Sequence, residues 1–328
     1  MAAALGAAAA VGLALLLVAA WALWTFKGPG PAAPRAGARD VILRAGAGLP
    51  EIAATLRRER VIGSDALFVA AAEITGAAHL LKAGEYEFPS GASMARVMAA
   101  IRDGRVLRHF VTIPEGTPSQ AVIDILARAD YLTGAAPVPP EGAVLPETYE
   151  VRRGQDRAAV LQRMMDARDK LLAALWLQRR DGLPYQSPDQ AVILASVIEK
   201  ETSKAEERPR IAAVFVNRLQ KNMRLESDPT VIYGLTQGRP LGHGLKASEL
   251  AAPTPYNTYL VAGLPPTPIA NPGRAALAAA LDPPRTSDLY FVADGTGGHV
   301  FSDSFAEHQK NVVRWRAIEQ ARAAGARP

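Results

Sequence analysis

The sequence contains no cysteine, which excludes disulfides, thiol nucleophiles and cysteine-based metal sites. No charged residue lies between Ala2 and Phe26. No Lys/Arg block is interleaved with aromatics, so the footprint of a nucleic-acid binder is missing. The excess of 37 Lys+Arg over 32 Asp+Glu gives a net charge of only +5, spread along the chain. That balance is compatible with an anionic membrane or polymer but selects neither. His299 and His308 are nine apart and lack any zinc spacing. The run Asp294-Gly-Thr-Gly-Gly-His299 lacks the Lys-Ser/Thr of a phosphate loop and reads as a tight turn. No internal repeat is present. The expectation is no metal, no cofactor and no nucleic-acid partner.

The charge-free run, residues 2–26, is long enough to cross a bilayer, for which about 20 apolar residues suffice. Trp21 and Trp24 stand near its outer end, where aromatic rings favour the interface. A cleaved signal peptide is the alternative, since the stretch is rich in small residues. Only the terminal amine precedes the run, while Lys27, Arg35 and Arg39 follow it. The positive-inside rule alone would leave the body in the cytoplasm. The chemistry argued below places it outside, in the periplasm. Residues 1–27 are read as the membrane anchor. Residues 28–39, which open with GPGPAAPRAGA, are read as a linker.

A chain of 328 residues suggests roughly two domains. Residues 40–113 read as a small α+β unit. Val41-Ile42-Leu43 is a strand candidate, helices follow from Leu49 and across residues 66–72, and residues 84–88 alternate as a strand. Ser93 opens a helix that stops near Gly104, and residues 106–113 are a further strand. Residues 114–328 read as a mixed α+β second domain. A helix follows Thr117-Pro118, and residues 134–146 form a Pro-rich loop. Residues 157–180 are a long amphipathic helix with Leu161, Met164, Leu171, Leu172 and Leu175 as its stripe. Another helix starts at Ser187-Pro188-Asp189. Residues 217–233 read as helix, turn and helix. Residues 240–284, dense in Pro and Gly, read as extended loops. A buried strand at 289–293 and a helix at 305–323 close the chain.

The most informative segment is the helix over residues 191–202, AVILASVIEKET. At about 100° per residue, Glu199 and Glu201 point to roughly opposite sides. Glu201 continues the stripe of Leu194, Val197 and Ile198, whereas Glu199 shares the face of Ala195 and Ser196. A carboxyl at the edge of an apolar face is desolvated, which disfavours its charged form and suits a general acid. Glu201 is the better acid on that ground. The plainer reading pairs both carboxylates with Lys200, Lys204 or Arg208 at a solvated helix end. A second constellation, Ser227, Asp228 and Thr230 around Pro229, offers side-chain oxygens at a helix start, with Tyr233 one turn on. Helix capping is its bland reading. A third, Pro253-Thr-Pro-Tyr-Asn-Thr-Tyr-Leu260, carries two aromatics and an amide on a Pro-bounded loop. Tyr256 could stack on a sugar ring and Asn257 bond its hydroxyls.

Several runs together resemble one family. They are Ile198-Glu-Lys-Glu-Thr202, Val214-Phe-Val-Asn-Arg-Leu219, Ser227-Asp-Pro-Thr-Val-Ile-Tyr-Gly234, Pro255-Tyr-Asn-Thr-Tyr259, Gly263-Leu-Pro-Pro266 and Asn271-Pro-Gly273. Upstream stand Leu81-Lys-Ala-Gly-Glu-Tyr86, Thr112-Ile-Pro-Glu-Gly116 and Pro146-Glu-Thr-Tyr149. Over roughly residues 40–315 the chain resembles the endolytic murein transglycosylases. The resemblance implies a single-pass inner-membrane protein with a LysM-like unit and a catalytic domain facing the wall. It implies non-hydrolytic cleavage of MurNAc–GlcNAc bonds in nascent peptidoglycan glycan strands, leaving 1,6-anhydro ends and ending strand growth beside the peptidoglycan synthases. It also implies Glu201 as the catalytic residue, in agreement with the face argument. Three departures stand out: Glu226 where Gln is usual, Thr267 for Gly, and Val144-Leu-Pro-Glu147 for Leu-Phe-Pro-Asp.

Ordinary glycosidases need two carboxylates. A lytic transglycosylase needs one, because the sugar's own C6 hydroxyl attacks at high effective concentration. The expected roles are Glu201 as acid and then base, with Asp228, Thr230, Tyr233, Tyr256 and Asn257 holding the sugar. Two rivals stand: a muramidase using Glu201 with Glu199, Asp228 or Glu226, and a wall-binding scaffold without catalysis.

Overall fold

The computed structural model describes residues 2–32 and 37–325, apart from the side chains of residues 2–8 and 323. Part of the expected linker, residues 33–36, and the last three residues of the expected second domain lie outside the described residues. The chain divides into two compact units. One comprises residues 1–109 with 150–154, the other residues 110–149 with 155–328.

The first unit begins with α1 (Ala2–Lys27). Within it, residues 9–27 form a 19-residue stretch long and apolar enough to cross a membrane, with the length and composition of an anchor or a signal sequence. Its side chains from Val11 to Trp24 are exposed. Then come β1 (Ala38–Leu43), α2 (Leu49–Arg58), α3 (Asp65–Ile74), β2 (Gly84–Pro89) and α4 (Met94–Asp103). β1 and β2 pair antiparallel, with Val41 opposite Tyr86. Val41 and Leu43 point into the core while Ile42 between them is exposed, the period-2 alternation of a half-buried strand. Ser64 and Ser93 cap α3 and α4 by accepting from the amides of Leu67 and Arg96. Gly104 ends α4 in the left-handed region, where a side chain is penalised. The core gathers Leu56, Phe68, Tyr86, Val97 and Ile101, and the buried Tyr86 hydroxyl donates to the Lys82 carbonyl at 2.7 Å.

Three expectations change in this unit. The start of the expected linker, residues 28–32, is not free. The Gly30 amide donates to the Gly91 carbonyl at 3.1 Å, and Phe26 packs on the core. A side chain at residue 30 would collide with the Ala92 carbonyl, so the close approach needs glycine. The strand expected over 106–113 is only β3 (His109–Thr112), because the Leu107 amide is taken by the Glu85 carbonyl at 2.6 Å. The unit's edge falls at residue 109 and reclaims 150–154. Buried Glu85 accounts for both, binding His109 Nε2 at 2.6 Å and Arg153 Nε at 2.9 Å.

The second unit continues with α5 (Ser119–Arg128), β4 (Leu132–Thr133), the first two residues of β5 (Thr148–Val151), β6 (Gln155–Asp156) and α6 (Arg157–Leu177). There follow α7 (Pro188–Glu201), α8 (Arg208–Gln220), α9 (Asp228–Thr236), α10 (Ala247–Leu250), α11 (Arg274–Leu281), β7 (Tyr290–Ala293), β8 (His299–Ser302) and α12 (Phe305–Ala323). Besides β1–β2, the sheets are three further two-stranded pairs: β3–β5, parallel β4–β6 and antiparallel β7–β8. The chain is thus mixed α+β.

Helix α7 is the axis of this unit, packed against α6, α8, α9 and α11. Ser187 caps it, and Pro188 suits its first turn, where no amide partner is lost. Burial runs almost without a break from Ala191 to Glu199, so α7 is a core helix rather than an amphipathic one. The region expected to be extended, 240–284, contains α10 and α11. Nearly all of α11 is Ala and Leu and is buried on several faces, which leaves no polar stripe to betray a helix. The long helix expected to reach residue 180 stops at Leu177.

Candidate active site

The C-terminal turn of α7 delivers two carboxyls to different surroundings. The side chain of Glu199 is held on both oxygens. Arg208 Nη2 donates to Oε1 at 2.8 Å, and the Gly273 amide donates to Oε2 at 2.8 Å. Arg208 also reaches Glu115 at 3.1 Å. A side chain at residue 273 would displace the Glu115 carboxyl, so glycine leaves room for the Arg208–Glu115 pair. Asn271 ties the same junction together. Its Oδ1 accepts from the Val144 amide at 2.9 Å and its Nδ2 donates to the Thr117 carbonyl at 2.9 Å. Burial raises the Glu199 pKa, opposed by the Gly273 amide and the Arg208 charge. Both oxygens of Glu199 are thus engaged within the protein.

Glu201 faces a cleft of about 430 Å³ lined also by Arg218, Glu226, Asp228, Tyr259, Phe291 and His308. Among the described residues its carboxyl takes one hydrogen bond, from Ser227 Oγ, which donates to Oε2 at 3.0 Å. Burial pushes its pKa up to about 7, helped by the Asp228 charge and opposed by Ser227 and Arg218. A carboxyl with that pKa is partly protonated at neutral pH, the condition for a general acid that must later act as base.

The residues beneath Glu201 explain its poise. Ser227 occupies the N-cap position of α9 but makes no cap bond to the helix; its hydroxyl is diverted to Glu201. Caps at Ser64, Ser93, Asp156, Ser187 and Ser304 all accept from their own helices. Ser227 is fixed from below: its amide donates to Thr258 Oγ1 at 3.0 Å, and Thr230 Oγ1 donates to the Ser227 carbonyl at 2.7 Å. Arg218 fixes it from upstream. Its Nη1 reaches the carbonyls of Arg224 and Leu225 and Glu226 Oε2, each at 3.0–3.1 Å. Glu226 takes a left-handed backbone with φ 52°. Glu226, which replaces the usual Gln, is therefore matched by a guanidinium.

The six residues singled out from the sequence fall into three groups. Glu201 and Asp228 both line the cleft, with Asp228 Oδ1 accepting from the Tyr259 hydroxyl at 2.7 Å. Tyr233 and Tyr256 meet edge-on, centroids 4.9 Å apart. Tyr233 is buried; Tyr256 is half-buried, and its hydroxyl meets that of Thr267, the residue replacing Gly, at 2.8 Å. Thr230 and Asn257 are fully buried. Asn257 Nδ2 donates to the Leu250 and Ala252 carbonyls at 2.8 Å each, and its Oδ1 accepts from the Tyr259 amide at 3.0 Å. Neither lines the cleft; they hold the backbone at Ser227 and Tyr259. Tyr259 and Ser227 were legible as motif members but not as site residues. Burial and then Asp228 raise the Tyr259 pKa, so its phenol stays a donor.

Of the two C-terminal histidines only His308 lines the cleft. His299 Nδ1 meets Glu207 Oε2 at 2.7 Å, and His308 stacks on Tyr290 with centroids 5.0 Å apart. Asp294 takes the Thr296 and Gly298 amides at 2.6 and 3.0 Å, closing the tight turn between β7 and β8.

A half-buried carboxyl pushed up to about 7 beside an open cleft, with no basic side chain bonded to it among the described residues, has the make-up of a single acid–base group. The chain belongs to the YceG-like family, whose model matches residues 41–314. It is 29% identical over 307 residues to the endolytic murein transglycosylase of Bacillus subtilis (strain 168), covering 83% of each chain. It is 32% identical over 179 residues to the protein of the same name from Streptococcus pneumoniae (strain D39), covering 53% of this chain and 32% of that one. A crystal structure of a YceG-like protein from Listeria monocytogenes is similar with a TM-score of 0.53 at 27% identity, covering 84% of this chain and 98% of that one.

Proposed function

We propose that this protein is an endolytic murein transglycosylase that cuts MurNAc–GlcNAc bonds of peptidoglycan strands with Glu201 as its acid and base. The observation that carries the reading is the raised pKa of Glu201, about 7, in a cleft shared with Asp228 and Tyr259. Protonated Glu201 gives its proton to the bridging oxygen as the C1–O bond breaks. The resulting carboxylate takes the proton of the muramyl C6 hydroxyl, whose oxygen attacks C1 and closes a 1,6-anhydro ring. Ser227 orients the carboxyl and stabilises its charged form between the two steps. Asp228, backed by the Tyr259 hydroxyl, and the edge of Tyr256 contact the sugar, while Thr230, Tyr233 and Asn257 hold the segments that carry them. The apolar helix α1 serves as a single-pass inner-membrane anchor, which puts the catalytic unit in the periplasm with its substrate. The β1–α2–α3–β2 module serves as the LysM-like wall-facing unit, and the glycan synthases are the partners whose product it cuts.

Product mass tests the chemistry. Anhydro ends lost in Glu201→Gln are the expected result; their persistence in that variant refutes the role. Asp228, in the same cleft, keeps a second reading alive: a two-carboxylate muramidase. That enzyme would leave reducing ends heavier by one water.

A further inference from the structure

A second hollow lies on the other side of α9, larger than the catalytic cleft. Its inner part, about 440 Å³, starts at Lys200 and Pro229, each the chain neighbour of a cleft residue, Glu201 and Asp228. Its outer part, about 840 Å³, shares Pro118 and Arg239 with the inner one and continues to Gln120 and Asp124. Neither part presents a group poised for proton transfer. The shape is built: Gln237 and Gly238 are both left-handed (φ 53° and 85°), turning the chain sharply after α9. A side chain at residue 238 would strike Pro118, so glycine closes the rim. The turn leaves Arg239 exposed on the wall. Lys200 is also exposed, and neither cation makes a side-chain ion pair or hydrogen bond among the described residues. The one acid lining the hollow, Asp124, accepts from Gln120 Nε2 at 3.0 Å.

Two unpaired cations in a preformed hollow that starts beside the catalytic carboxyl call for an anionic extension of the substrate held there. In a stem-bearing strand the lactyl carboxyl of each MurNAc is tied up in an amide, so the sugars themselves carry no charge. Its anions are the carboxylates of the peptide stems attached to the muramyl lactyl groups. Resting on the reaction proposed above, we infer that this hollow is a peptide-stem subsite. Lys200 and Arg239 take stem carboxylates while the muramyl sugar sits at Glu201.

Strands of one length test this on the full-length protein in detergent, either bearing peptide stems or stripped of them by an amidase, which leaves the only carboxylate on the lactyl group beside the sugar, short of the hollow. The wild type is expected to prefer peptide-bearing strands by about tenfold in kcat/KM, the effect of one well-placed charge contact. That ratio should fall towards one in Arg239→Gln and in Lys200→Gln. A wild type without preference, or variants that keep it, overturns the subsite and leaves the cleavage reading untouched. Binding of the same strands to Glu201→Gln separates the two claims. A retained preference in Kd upholds the subsite even if cleavage proves not to need Glu201.

Discussion

Glu199 and Glu201 leave the same helix end two residues apart, the first buried and the second half-buried beside a cleft, and they are treated oppositely. Glu199 receives a guanidinium and a backbone amide from segments 9 and 74 residues away in the chain. Glu201 receives one hydroxyl. Burial with full pairing yields a structural joint, and burial with minimal pairing yields a proton donor. The motifs flanking residues 112–116 and 271–273 belong to the first carboxyl, those at 227–230 and 256–259 to the second.

The contrast can be broken at either end. Glu201→Gln should lower turnover by about 10²–10⁴-fold, the range for a lost general acid, with circular dichroism unchanged. Glu199 has no such role. Removing its partner in Arg208→Ala strands a buried charge and should cost about 3–5 kcal/mol in denaturant unfolding. Replacing both Glu199 and Arg208 with apolar residues of similar volume should recover much of that loss.

The unpaired carboxyl also leaves a stability signature. Folding raises the Glu201 pKa from 4.5 to about 7, so the folded protein holds the proton more tightly than the unfolded chain. Its contribution is fully present below pH 4.5 and is lost as pH rises through 7. Glu201→Gln should therefore melt with the wild type at pH 4 and exceed it at pH 8 by up to about 3 kcal/mol. A difference independent of pH would mean that Glu201 is not desolvated. The smallest effect concerns Ser227. Its hydroxyl favours the carboxylate, so Ser227→Ala should raise the Glu201 pKa and move the alkaline limb of kcat/KM upward by less than about one pH unit.

Helical spacing set Glu201 on the apolar stripe and identified α7 from Ser187-Pro188-Asp189. It could not separate the two carboxyls by burial, because a core helix buries both faces, and the discriminating partners, Arg208 and Gly273, come from elsewhere in the chain. Residue type also misled at Asn257 and Thr230. An amide and a hydroxyl in a loop look equally fit for sugars or for backbone, and here the backbone takes both. Helix α11 escaped because eight residues of Ala, Leu and one Arg carry no period.

The left-handed backbone of Glu226 has one more consequence. A non-glycine residue there is strained by on the order of 1 kcal/mol, and Arg218 and the Thr258 carbonyl hold it so. The turn before Ser227 is thus kept by contacts where another sequence could use glycine. Glycine at 226 would adopt the same φ without strain but would leave the Arg218 guanidinium without its carboxylate.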